Sequence, residues 1–369
     1  MDATSRLPRP AAVGSRLASW RLVFGLLIAA VLSAGLGGIA TAVPATQDEV
    51  VDYTGAGATV LGAPSVNVRD CPDFDCETVG TLVVNERVTI DGPEEDGFLP
   101  VTSAESGVSG YGYALYISVD GQPAPWFTEG EPGCNRIAMI FNIGVGAPFD
   151  YGVLDTLEEW DVPATFFGMG WTTLREPETI EAIAAGGHPI GTHGNDAIDL
   201  PTSSDALIVE DLQASIDIIQ PVAGDNWVTL QTPFAQSSDE RTRTIVGSQG
   251  ILPVGWQIQT ADYRPDIDPN EIWDRVVPNA YDGGIIEFHI DANNTANTTG
   301  VALPWIIDAL LQRDYEFVTI PDMILPCGVT TADLAGGADA TPVAAATPTD
   351  RSADSASTPV GQINRSAAG

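Results

Sequence analysis

The chain has 369 residues, enough for one large domain beside a small one, since domains usually run from about 50 to 250 residues. Fifty acidic residues face 15 basic ones, all arginine, for a formal net charge of −35. That balance weighs against nucleic acid or an anionic membrane surface as partner, because binding phosphate needs clustered cations.

Residues 22–43 run for 22 residues without a charge, directly behind Arg6, Arg9, Arg16 and Arg21. Such a segment within residues 1–45 is an export signal. It is either a signal peptide cut after Ala40-Thr41-Ala42 or an uncleaved membrane anchor. In both cases the remainder is extracytoplasmic, secreted or held to the membrane through this segment alone. An oxidising compartment permits disulfides, and two are expected. Cys71 and Cys76 lie close together in CPDFDC, while Cys134 and Cys327 bracket the larger domain. A cysteine metal site is the weaker alternative, because there is no Cys-x-x-Cys spacing and no histidine nearby.

From 55 to 121, short β-branched or alternating runs (ATVL, VNVR, VGTLVV, RVTIDG, YGYALYI) are separated by Gly, Pro and acidic turns, the pattern of a small all-β barrel. The order NVRDCPDFDCETVGTLVVNERVTIDG followed by GYGYALYI resembles bacterial SH3-like domains. That resemblance implies binding to cell-wall glycan or peptide; a spacer without a ligand is the alternative.

Between 134 and 328 the pattern changes to strands alternating with helices. RIAMIFN, ATFFGMG, HPIGTH, WVTLQTPF, PVGWQIQ, GIIEFHI and YEFVTI give seven strand candidates, with amphipathic stretches such as YGVLDTLEEW between them. PETIEAI places Pro at a helix start and SSDALIVE offers a Ser N-cap. This alternation predicts an α/β fold with a parallel sheet, an irregular (β/α)7-type barrel whose chemistry belongs at the C-terminal strand ends. Residues 329–369, rich in Ala, Thr, Ser, Pro and Asp, are expected to be a disordered tail.

Asn142, His193, Gln231, Asp262 and His289 fall at predicted strand ends, and two of the chain's three histidines are among them. The order IAMIFNIG, ATFF, GGHPIGTH, QTPF, WQIQTADY and IIEFH is similar to the NodB-homology domain of polysaccharide deacetylases, the carbohydrate esterase family 4 type. Members usually show Thr-Phe-Asp-Asp-Gly, a His-x-x-x-His pair, Arg-x-Pro-Tyr or Phe, a late Asp-Trp, and Leu-x-His. They remove acetyl groups from amino sugars with a divalent metal held by one Asp and two His.

Carried across, the resemblance puts the general base on Asn142, one metal ligand on Ile143, another on His193 and the third on Ala197. Gln231 stands where an Arg steadies the base. Asp262 and His289 match the acid-side pair, and Tyr263, Phe234 and Trp171 are candidates for stacking on sugar rings.

Catalytic zinc needs about three protein ligands, and an amide accepts no proton at neutral pH. The chain is therefore expected to bind or modify glycan, peptidoglycan or chitin-like, with lost or strongly reduced deacetylase activity and no cofactor. One alternative is an active hydrolase of carbon–nitrogen bonds that holds zinc with a different set, His193, Asp196 and Asp150. Another is an envelope scaffold without a sugar ligand.

Overall fold

A computed structural model describes residues 52–331, so the expected export segment and most of the expected tail lie outside the described residues. No helix among the described residues is long and apolar enough to cross a membrane.

Seven short strands come first: β1 Gly57–Val60, β2 Ser65–Arg69, β3 Thr78–Val83, β4 Arg87–Ile90, β5 Phe98–Ser103, β6 Ser109–Tyr113 and β7 Ile117–Val119. All pairings are antiparallel, in the order β3-β2-β6-β5-β4-β1-β7. Alternation decides which side chains enter the core, as in β4, where Val88 and Ile90 are buried while Arg87 and Thr89 face out. Gly110 lies so near Arg69 that a Cβ would stand 2.4 Å from its carbonyl oxygen, so only glycine fits this strand contact. Cys71–Cys76 closes the loop between β2 and β3.

An eight-stranded parallel sheet follows, made of β8 Arg136–Ile143, β9 Thr165–Gly168, β10 Ile190–Thr192, β11 Trp227–Gln231, β12 Leu252–Pro253, β13 Ile258–Gln259, β14 Ile285–His289 and β15 Glu316–Val318. The helices α1 Gly152–Trp160, α2 Gly170–Arg175, α3 Pro177–Ala185, α4 Asp205–Ala223, α5 Glu240–Gly247, α6 Pro269–Val276, α7 Thr299–Leu311 and α8 Ile320–Met323 are interspersed. Pro177 opens α3, and Ser204 caps α4 by accepting from the Leu207 N–H. On β8, Ile137, Met139, Phe141 and Ile143 belong to the core shared with the helices, and Ala138 and Ile140 belong to the inner core. Asn142 continues the inner row.

The sheet runs β12-β11-β10-β9-β8-β14-β13, with β15 also on β8. The expected single strand PVGWQIQ is in fact two, β12 and β13, which do not pair with each other, so the sheet is curled and open there. Phe127 fills the seam: its N–H donates to the Pro253 carbonyl at 3.1 Å and its own carbonyl accepts from Gly255 at 2.8 Å. A segment from outside the sheet takes the hydrogen bonds that a continuous strand would have made.

The two β units are not separate beads. Val60, Leu61, Tyr116 and Ile117 share one buried cluster with Phe127, Leu252, Val254, Ile320 and Leu325. Cys134–Cys327 spans 193 residues and ties the entry of β8 to the segment after α8, which is possible because β15 lies beside β8. Removing this bridge as Cys134→Ala/Cys327→Ala should lower unfolding free energy by roughly 2–4 kcal/mol in urea titration. Removing Cys71–Cys76, only 5 residues apart, should cost less because it closes a far smaller loop. Equal losses would contradict the loop-length account.

Candidate functional site

The C-terminal ends of β8, β10, β11 and β14 converge with residues 256–263 on a cavity of about 550 Å³. Asn142, His193, Phe234, Tyr263, Glu287 and His289 are among its lining residues. Ala261, directly before Asp262, has φ of +58°, and Ala235 on the opposite wall has +53°. Such left-handed non-glycine residues persist where surroundings over-determine them, often at ligand sites.

One hydrogen-bond chain fixes the β8–β10–β11 side. His193 Nδ1 lies 2.8 Å from both the carbonyl oxygen and Oγ1 of Thr232, and the Thr232 hydroxyl donates to Asn142 Oδ1 at 2.8 Å. A carbonyl only accepts, so the proton is on Nδ1 and Nε2 carries a lone pair. Burial pushes His193 down to about 3, which keeps the ring neutral. Because Asn142 Oδ1 is taken by Thr232, its Nδ2 is left on the other side. There the amide favours the ionised form of Glu287 while making no hydrogen bond of full geometry.

The β13–β14 side is ionic. Asp262 is fully buried; Oδ1 meets His289 Nδ1 at 2.8 Å, and Oδ2 accepts from the His289 N–H at 2.9 Å and the Thr299 hydroxyl at 2.7 Å. On the other ring nitrogen, His289 Nε2 lies 3.3 Å from Glu287 Oε1. Burial opposes the imidazolium, but Glu287 and then Asp262 outweigh it and raise His289 to about 9. Burial raises the Glu287 carboxyl to about 7, the facing imidazolium and the Asn142 amide pulling it down and Asp262 pushing it up. Further out, Asp291 accepts from Gly144 and Gly146 at 3.3 and 2.7 Å and so holds the loop that follows Asn142.

The structure thus gathers Asn142, His193, Asp262, His289, Tyr263, Phe234 and Ala197 at one site. Gln231 does not steady Asn142: it lies outside the cavity lining, its Oε1 meets no protein donor, and Thr232 makes the contact instead. Trp171 is also outside the lining; it packs against Gly146 and under Arg175. Ile143 turns into the helix-side core. Asp150 and Asp196 are not gathered with His193, since Asp150 accepts from Gly152 and Asp196 from Asn195. Glu287 was not singled out from sequence, although it stands two residues before His289 on the same strand face.

The polysaccharide deacetylase family profile matches residues 129–254. The peptidoglycan-N-acetylglucosamine deacetylase PgdA of Listeria monocytogenes is 26% identical over 188 residues, 51% of this chain but 38% of that enzyme, so the chain spans well under half of that relative. The crystal structure of the Bc1960 peptidoglycan N-acetylglucosamine deacetylase superposes with a TM-score of 0.51 at 25% identity, covering 54% of this chain and 92% of that one. BA3943 from Bacillus anthracis, described as a pseudoenzyme of carbohydrate esterase family 4, shares the fold at a TM-score of 0.50 and 18% identity, over 71% of this chain and 90% of that one. Residues 129–254 therefore match the polysaccharide deacetylase family, and the fold around them agrees with a solved member.

Enzymes of this family are generally metal-dependent, but the residues present here do not fit a divalent ion. His193 offers Nε2, whereas Ile143 and Ala197 offer no donor atom. Among the described residues, groups of three possible ligands close together occur only around the two disulfides, whose sulfurs are already bonded.

The ionic triad has a pH signature. A raised histidine stabilises the fold fully below its ordinary value of about 6.5, and that stability is lost as pH rises through its folded value. Unfolding midpoints should therefore fall between about pH 6.5 and 9. In ring-nitrogen NMR titration His289 should stay protonated past neutrality, and Glu287→Gln should lower its midpoint by roughly one unit or more. A wild-type His289 titrating at or below the ordinary value would contradict the assignment.

Proposed function

We propose that this chain is an extracytoplasmic glycan-binding protein on a deacetylase scaffold, with the metal-dependent deacetylation chemistry lost. The observation that carries this is the donor set: one neutral histidine where an ion needs about three ligands. Without a Lewis acid, water keeps its high pKa instead of falling to about 7, beyond the reach of any carboxylate at this site. Asn142 takes up no proton. His289, whose counterpart in the family delivers one to the leaving amine, has Nδ1 on Asp262 and Nε2 turned to Glu287. That proton is held tightly and aimed at a protein carboxylate.

What remains is a cavity with aromatic walls and fixed polar groups, the form of a carbohydrate site. Relatives that include peptidoglycan-N-acetylglucosamine and chitooligosaccharide deacetylases point to β-linked amino-sugar polymers as the ligand class. Residues 55–121 are proposed as an SH3-like wall-binding unit, and residues 1–45 as the export segment. Two binding units on one polymer gain avidity through effective concentration.

Incubation with N-acetylated chitin oligomers and peptidoglycan fragments, with and without added zinc, tests this reading. Acetate release should stay at background while saturable binding to one of these glycans is retained. Metal-dependent release that is lost in His193→Ala would overturn it in favour of an active enzyme.

A further inference from the structure

Building on the glycan-binding reading, we infer that the cavity selects the ammonium group of a de-N-acetylated amino sugar, with Glu287 as its counter-ion. Glu287 is 2% exposed and lines the cavity, with Oε1 toward His289 and Oε2 in no hydrogen bond of full geometry, although the Asn142 amide acts on the carboxylate. The charges around it do not cancel. Asp262 is matched by the His289 imidazolium and saturated by three hydrogen bonds, which leaves Glu287, raised to about 7 by burial, as the carboxyl that a further cation would hold ionised. No arginine lines the cavity, and the chain has no lysine. A buried carboxylate with one free oxygen is costly until a cation meets it.

The neighbouring groups favour an amine over an acetamide. An ammonium needs acceptors, and the Glu287 carboxylate and the His193 Nε2 lone pair are acceptors among the lining residues. Next to Glu287 the donor for an acetamido oxygen is the Asn142 amide, beside a carboxylate that repels that oxygen; Gln259 and Tyr263 supply further donors in the lining. Asn142 also suits Glu287, because an Asp at that position would set two carboxylates together. The negative charge has in effect moved from β8 to the adjacent β14, whose His289 is in register with Asn142. A sugar is a better carrier of the amine than a peptide side chain. Phe234 (38% exposed) and Tyr263 (41%) offer open aromatic surface at the cavity, and a pyranose ring is flat enough to stack on them.

Calorimetry on the full chain with two chitotetraoses, one fully N-acetylated and one with a single free amine, tests the inference. About 1 M salt shortens the Debye length to about 3 Å and suppresses general attraction to the −35 chain. The free-amine ligand should bind roughly tenfold tighter or more, as expected for a charge-assisted contact. Glu287→Gln should abolish the preference, bringing the two affinities together whatever their level; Glu287→Leu, which restores the side chain usual in the family, should do the same if the glutamine variant fails to fold. Equal or tighter binding of the acetylated ligand overturns the inference, as does a preference that survives both variants. Competition by a lysine peptide as strong as by the amino sugar overturns the sugar assignment. Binding of neither glycan would sink the glycan reading as well, whereas metal-dependent acetate release would sink only the claim of lost catalysis.

Discussion

His289 is held at both ring nitrogens by carboxylates, Asp262 at 2.8 Å on Nδ1 and Glu287 at 3.3 Å on Nε2. Other features of the site follow from keeping this triad buried. Asp262 reaches the imidazole because the chain takes a left-handed turn at Ala261, and Thr299 at the start of α7 completes its hydrogen bonds. Glu287 and His289 face the same way because alternate strand residues share a face. The third element is Asn142, a neutral amide on the adjoining strand, since another carboxylate there would add repulsion to a site already short of positive charge.

The rest of the fold keeps these strand ends in place. Parallel strands buried on both faces need cover, which helices supply outside and apolar interior residues supply within. The β12–β13 gap leaves the curl incomplete, and Phe127 closes it from the chain between the two β units. The N-terminal unit therefore packs into the same buried cluster as Trp256, which also lines the cavity.

Much of this was legible in the sequence. The parallel strands were visible as apolar runs between amphipathic stretches, and Asp262 and His289 stood out as polar residues at strand ends. Other residues were hidden for specific reasons. PVGWQIQ has the composition of one strand, but Gly255 and the docking of Phe127 divide it, a tertiary effect with no local trace. Motif position placed Gln231 beside Asn142, whereas Thr232 makes the contact. Glu287 was legible in principle: if His289 faces the cavity, so does the residue two before it. Fifty acidic residues in the chain masked that signal, because composition favours reading any one of them as a solvated surface group.

On the proposed reading, a protein-held ion triad with an acceptor for an organic cation stands in this chain in place of metal chemistry. Zinc titration of the full chain by calorimetry addresses it most directly. No saturable zinc site that depends on His193 is expected. A site of micromolar or tighter affinity that disappears in His193→Ala would contradict it, for the cavity would then hold a metal through ligands that this geometry does not bring together.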